Sequence, residues 1–186
     1  MAKIGIYGGS FNPVHFGHVG LAKWVIEHTD LDELWLLVSP NNPLKDAKIL
    51  APEQERLAGV REAIKDIPGL VASDFEFALP RPSYTANTLR ELKKAYPQHE
   101  FTLIIGEDNV AIFDKWREYE YILENFRIFV YPRRSLLGEA GLLAKRSFSE
   151  TVFQAKPVKE VRYLGEAPTF NISSTELRQQ GNCCHR

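Results

Sequence analysis

Gly8-Gly9-Ser10-Phe11-Asn12-Pro13-Val14-His15-Phe16-Gly17-His18 sits between a short apolar run, Lys3 to Tyr7, and a segment of helical period, His18 to His28. Strand, glycine-rich turn and helix in that order make the phosphate corner of an open parallel sheet, at the carboxyl ends of its strands. Gly8 and Gly9 are expected to let the backbone turn sharply and approach a ligand, and the free N–H groups of the following helix favour an anion. His15 and His18 are three apart, so once the helix has begun they share a face, with Gly17 removing a side chain from the approach. Both imidazoles could then reach one phosphate. A metal pair or two unrelated surface histidines would show the same spacing. The glycine turn favours phosphate chemistry, as does the lack of the glutamate that zinc-hydrolase motifs place beside the first histidine.

Outward from this stretch, short β-branched apolar runs alternate with longer segments of helical period. That alternation predicts an α/β fold, a Rossmann-like doubly wound parallel sheet with crossover helices. Strands are expected at Lys3 to Tyr7, Glu33 to Val38, Gly69 to Ala72, Phe101 to Ile105 and Arg127 to Val130, with weaker ones at Val152 to Gln154 and Val161 to Tyr163. Helices are expected at His18 to His28, Pro52 to Asp66, Thr85 to Ala95 and Tyr119 to Glu124, with a last one starting near Ser174. Pro52 suits a first helical position, where a missing N–H costs least. Tyr131 to Ser147 has no clear period and reads as a loop or a short helix.

With 186 residues, 44% of them hydrophobic, the chain can bury one good core and is expected to form a single domain over 1–186. Its 23 Lys and Arg against 24 Asp and Glu give a formal charge of −1, so no global field would hold a nucleic acid or a membrane surface. No run approaches the roughly 20 apolar residues a bilayer span needs, and the N-terminus lacks a signal-peptide plan; a cytoplasmic location is expected. Cys183 and Cys184, adjacent near the C-terminus, suggest neither a disulfide nor a zinc site, and no resident metal is expected.

Near the C-terminus, Ile172-Ser173-Ser174-Thr175-Glu176-Leu177-Arg178 reads as a helix start in which Ser173 or Ser174 caps. Its hydroxyls and exposed N–H groups make a second anion site, with Arg178 one turn on as a charged donor. The two motifs together resemble the GSFNPxHxGH and ISSTxIR signatures of the nicotinate mononucleotide adenylyltransferases, within the HxGH nucleotidyltransferase superfamily. Leu177 replaces the usual isoleucine. The resemblance runs from about Lys3 to Gly181 and implies the nucleotidyltransferase form of the fold.

It implies roles residue by residue. ATP would be bound by Gly8, Gly9, Ser10, Phe11, His15, His18, Gly106, Asp108, Ile172, Ser173, Ser174, Thr175 and Arg178. In the family, the IGxD element, here Ile105-Gly106-Glu107-Asp108, sets its aspartate on the ATP ribose; such a carboxylate can accept both hydroxyls. The mononucleotide would meet Asn12, Lys45, Tyr84, Thr85, Trp116 and Arg133. Pro82-Ser83-Tyr84-Thr85-Ala86-Asn87-Thr88-Leu89 is similar to the segment whose backbone N–H groups receive the pyridine carboxylate, and Trp116 to the tryptophan that stacks on the ring. Lys45, in Pro40-Asn41-Asn42-Pro43-Leu44-Lys45, stands like the family's basic residue near the triphosphate.

The sequence departs from the family at several places. Asn87 stands for a common aspartate, Arg117 follows Trp116, and Tyr131-Pro132-Arg133-Arg134 leaves open which arginine meets the mononucleotide phosphate. The chain also stops soon after the second motif, where relatives usually continue.

The implied activity is transfer of the adenylyl group of ATP, with Mg2+ carried on its phosphates, to nicotinate mononucleotide. His15, His18, Lys45 and Arg178 would be the catalytic set. Nicotinamide mononucleotide or phosphopantetheine as acceptor, or a non-catalytic nucleotide-binding module, are the alternatives. Expected partners are these small molecules, with self-association left open.

Overall fold

The computed structural model describes residues 1–40, 50–110, 112–133 and 157–170. The expected strand at Val152 to Gln154, the helix near Ser174, Arg134, and most of Tyr131 to Ser147 lie outside them. Among the described residues six strands form one sheet: β1 (Lys3–Gly9), β2 (Glu33–Val38), β3 (Leu70–Ser73), β4 (Glu100–Gly106), β5 (Arg127–Tyr131) and β6 (Glu160–Tyr163). Their order is β3-β2-β1-β4-β5-β6, and every pairing is parallel. The helices among the described residues are α1 (Phe16–His28), α2 (Glu53–Ile64), α3 (Thr85–Ala95), the single turn α4 (Glu107–Val110) and α5 (Tyr119–Asn125).

The period-2 pattern of each strand divides the core into two. Tyr7 of β1, Leu34, Leu36 and Val38 of β2, Ile104 of β4 and Phe129 and Tyr131 of β5 face one side, against Leu21 and Val25 of α1 and Leu57, Val60 and Ile64 of α2. Their neighbours Ile4, Ile6, Leu37, Leu103, Ile105, Ile128 and Val130 face the other side, against Leu89 and Leu92 of α3 and Ile122 and Leu123 of α5. Burial on both faces explains why these strands read as continuous apolar runs.

Three readings change in detail. Pro52 is the N-cap of α2 at φ −49° and ψ 137°, one residue ahead of the helix, and α2 stops at Ile64. The helix α4 and short 3-10 turns at Phe75–Ala78 and Phe113–Lys115 were not expected. They span only three or four residues each, too few for a periodic pattern to register.

β1 lies at the point where the connections change direction, with β2 on one side and β4 on the other. Its carboxyl end beside that of β4 is the crevice where open α/β sheets hold ligands. The opposite edge is closed by charge. Asp30 takes Lys3 Nζ at 2.8 Å and Arg127 Nη2 at 2.9 Å, and Arg127 Nε reaches Glu160 at 2.9 Å, joining β1, the α1–β2 connection, β5 and β6. Hydrogen bonds from Arg127 and then Lys3 hold the Asp30 carboxyl well below the usual carboxylate range. A depressed native pKa gives stability that is present above the unfolded value, about 4, and fades as pH falls through the native one. The Asp30 side chain is 40% exposed, so solvent screening limits the effect to about 1 kcal/mol. Asp30→Asn is therefore expected to lower unfolding free energy by about that much at pH 7. In denaturant titrations the gap from wild type should narrow below pH 4; a gap independent of pH would show that charge pairing is not its source.

Candidate active site

The turn after β1 is made differently from what its glycines suggest. Gly8 and Gly9 are the last residues of β1, and neither takes a positive φ. The reversal falls on Phe11, at φ 43°. Phe11 is 2% exposed and packs edge-on to Tyr7 and to His18, with ring centroids 5.7 and 5.1 Å apart. That burial holds a non-glycine residue in a conformation disfavoured for L side chains. Gly9 is needed for space, since a Cβ there would come within 2.9 Å of the Phe11 ring. At Gly8 a Cβ would meet none of the described residues within 4 Å. Phe11 itself is a core residue of the turn.

His15 is the N-cap of α1, with extended φ −145° and ψ 169°, and His18 is its third residue. The two rings nonetheless stack, with centroids 3.6 Å apart and planes at 29°, because the His15 amide donates to His18 Nδ1 at 3.2 Å. His15 is 7% exposed; its side chain faces the His18 amide in a capping box, and neither ring nitrogen makes a hydrogen bond among the described residues. Burial, and secondarily the Arg133 charge, lowers its pKa to about 4. At neutral pH it is therefore an uncharged imidazole carrying one N–H donor.

At the end of β4, Asp108 is paired with Arg133, Nη1 to Oδ2 at 2.9 Å. The structure thus joins two residues expected on different substrates. Gly106 leaves room for this chain's own groups: a Cβ there would collide with the Asp108 carboxylate and lie 3.1 Å from the Tyr131 ring and hydroxyl. Tyr131 in turn lies edge-on to Tyr7, with centroids 5.9 Å apart.

Tyr84 is the N-cap of α3 and Thr85 its first residue, and α3 has no acidic residue in its first turn. Arg117 lies over the Tyr84 ring at 4.9 Å. The adjacent Trp116 packs on Phe113 at 5.0 Å, with a buried Nε1 that has no partner among the described residues. Asn12 is buried and accepts from the Ala51 amide through Oδ1 at 3.1 Å, so at least part of its side chain shapes the turn. Lys45, Ile172, Ser173, Ser174, Thr175 and Arg178 lie outside the described residues. Among the described residues no three His, Cys, Asp or Glu side chains converge on a metal-sized site, and no helix is long and apolar enough to cross a membrane.

Three buried charged residues at this end of the sheet, Arg56, Glu76 and Glu107, were not anticipated. Arg56 is 4% exposed and donates to backbone carbonyls of Ser10, Ser39, Pro40 and Ala51. Glu76 is 6% exposed, takes the Thr88 hydroxyl at 2.8 Å, and has its carboxyl pushed up by burial against the influence of the Thr88, Ser39 and Ser83 hydroxyls. The signal for Arg56 was present: it sits in the apolar stripe of α2 with Leu57, Val60 and Ile64, where a charge needs a reason.

The His15 environment has a direct spectroscopic consequence. In a ring-resolved NMR titration His15 should change protonation near pH 4, and Arg133→Ala should move that midpoint upward. A midpoint close to the unperturbed 6.5 or so in the wild-type protein would refute the buried, uncharged state.

The cytidylyltransferase-like family profile matches residues 6–180. A Bacteroides thetaiotaomicron protein named "Probable nicotinate-nucleotide adenylyltransferase" is 47% identical over 178 residues, 95% of this chain and 80% of its own length. A Flavobacterium johnsoniae protein of the same name is 52% identical over 176 residues, 95% of this chain and 84% of its own. Among solved structures, the Plasmodium falciparum nicotinic acid mononucleotide adenylyltransferase complexed with NaAD superposes with a TM-score of 0.72 over 96% of this chain and 83% of that one. At 18% identity that match speaks for the fold alone. The motif at the end of β1, the parallel sheet that presents it and these relatives agree: the chain belongs to the nicotinate-nucleotide adenylyltransferases of the cytidylyltransferase-like family.

Proposed function

We propose that this protein transfers the adenylyl group of ATP to nicotinate mononucleotide, giving nicotinate adenine dinucleotide and pyrophosphate in NAD biosynthesis. The observation that carries the reading is His15: a buried, uncharged imidazole whose ring nitrogens have no hydrogen-bond partner among the described residues, stacked on His18 at the ligand crevice. A buried polar group left unbonded costs about 1–3 kcal/mol, and a phosphate oxygen at that place removes the cost.

In this reaction the substrate brings its own nucleophile. A 5′-phosphate oxygen of the mononucleotide attacks the α-phosphorus of ATP in line, the bond from that phosphorus to the β-phosphate breaks, and pyrophosphate leaves with the electron pair. No covalent enzyme intermediate forms. The protein must align two anions that repel each other and stabilise charge as it moves to the leaving group. Magnesium enters as part of the Mg-ATP substrate. His15 and His18 donate to the α- and β-phosphate oxygens. An uncharged donor at rest gains proton affinity as the phosphates bind, since a nearby negative charge favours imidazolium. Asp108 accepts from the ATP ribose and Arg133 serves the mononucleotide phosphate. Pairing with Asp108 uses one N–H of the guanidinium fork, which has five to offer. Tyr84 and Thr85, at the N-terminus of α3, receive the pyridine carboxylate through backbone N–H groups, with the ring on Trp116. Lys45, Ser174, Thr175 and Arg178 hold the β- and γ-phosphates.

The deciding assay is pyrophosphate release from Mg-ATP with nicotinate mononucleotide, nicotinamide mononucleotide and phosphopantetheine in parallel. Strong preference for the first is expected. Preference for another would keep the chemistry and overturn the acceptor, and silence with all three would overturn the enzyme. In the same assay His18→Ala should lower kcat by about two orders of magnitude, the scale of losing one transition-state donor. An unchanged rate from a folded variant would take this histidine out of the mechanism.

A further inference from the structure

Arg56 is a buried guanidinium whose bonds go to backbone carbonyls. Nη1 donates to Ser10 O at 2.6 Å and to Ser39 O at 2.8 Å, Nε to Ala51 O at 2.9 Å, and Nη2 to Pro40 O at 3.3 Å. The nearby carboxylate of Glu53 is engaged by Arg81 at 2.8 and 3.0 Å. The four acceptors come from three separate pieces of chain: the turn after β1, the residues that leave β2, and the residue ahead of the α2 cap. Further bonds close the same knot, Ala51 N to Asn12 Oδ1 at 3.1 Å and Ser39 N to Gly9 O at 2.9 Å. A planar fork can satisfy several fixed acceptors at once, which an ammonium cannot match. These carbonyls are turned inward and would be costly to bury without such a donor.

We propose that Arg56 is a positioning residue for the adenylyl transfer, holding the turn from Ser10 to His15 in register with the ends of β2 and the start of α2 so that the two imidazoles meet the phosphates. It touches no substrate; it acts through the backbone of Ser10 and, by way of Ala51, through Asn12. The inference rests on the proposed function for the reaction it serves, and on the hydrogen bonds alone for the hold on the turn.

The test compares wild type with Arg56→Met and Arg56→Lys, reading kcat, both KM values and amide hydrogen exchange. Arg56→Met is expected to lower kcat about 30-fold or more while both KM values move less, since small misplacements of reacting groups weigh chiefly on turnover. Exchange protection should fall at the Ser39 and Ala51 amides and persist in β4 and β5. Arg56→Lys should recover part of both effects. A folded Arg56→Met with kcat within about twofold of wild type, or protection lost evenly across the sheet with activity tracking the folded fraction, would overturn the proposal. Should Arg56→Met fail to fold, Arg56→Lys is read by the same criteria. Silence of the wild type with every acceptor would sink the adenylyl-transfer reading instead, and the two-amide pattern would still decide whether Arg56 holds the turn.

Discussion

The structure depends on one strand being paired on both sides. β1 takes β2 from Ile4↔Glu33 to Gly9↔Val38 and β4 from Lys3↔Glu100 to Ile6↔Leu103, so its ladder to β2 runs farther toward the carboxyl end than its ladder to β4. Backbone groups past the end of a ladder need other partners. Past Ile6, β1 and β4 part on the β4 side, and this opening is where His15, His18, Asp108 and Arg133 gather. On the β2 side the ladder is extended by Ser39 N to Gly9 O, and the guanidinium of Arg56 then takes over from strand pairing. One side of β1 is thus closed tightly to leave the other open.

The charges near this opening are arranged unlike those at the far edge of the sheet. There, Asp30, Lys3, Arg127 and Glu160 pair in a mutually neutralising network. At the carboxyl edge, Arg56 is buried on carbonyls, Glu76 is buried on a hydroxyl, and His15 is driven to its neutral form. A buried charge held mainly by dipoles is less stable than one in a good pair, but it fixes the direction of those dipoles. Fixed dipoles are what a reaction that moves charge between phosphates requires.

The sheet was legible because its signal is long-range in sequence and simple: apolar runs such as Phe101 to Ile105 are buried on both faces, and Tyr7 or Ile104 needs no particular partner to belong to a strand. The first motif was legible as a whole and misread in its parts. The glycines were expected to turn the chain, yet Phe11 turns it, because a buried aromatic ring wedged between Tyr7, Gly9 and His18 repays an unfavourable φ that local propensity would forbid. The pairing of Asp108 with Arg133 was illegible for another reason: the two are 25 residues apart, and only the β4–β5 register brings them together. Arg56 could have been found as a charge in an apolar helical stripe, but its four acceptors are backbone carbonyls, which carry no residue signature.

Among the described residues, the buried side-chain atoms without a partner are Ser10 Oγ, both nitrogens of His15, Glu76 Oε2, Ser83 Oγ, Thr102 Oγ1 and Trp116 Nε1. Thr102 lies inside the sheet. The others lie in segments that follow the carboxyl ends of strands, Ser10 and His15 after β1, Glu76 and Ser83 after β3, and Trp116 after β4. Each such group costs on the order of 1–3 kcal/mol, a large fraction of what holds a small domain together. A fold that has found partners for the Arg56 guanidinium within a few residues of Ser10 has the means to satisfy a hydroxyl there as well. On the function proposed above, polar groups left unbonded beside an arginine that makes four hydrogen bonds would find their partners on the substrate, and the stability given up in the free protein would become affinity and orientation when the phosphates arrive.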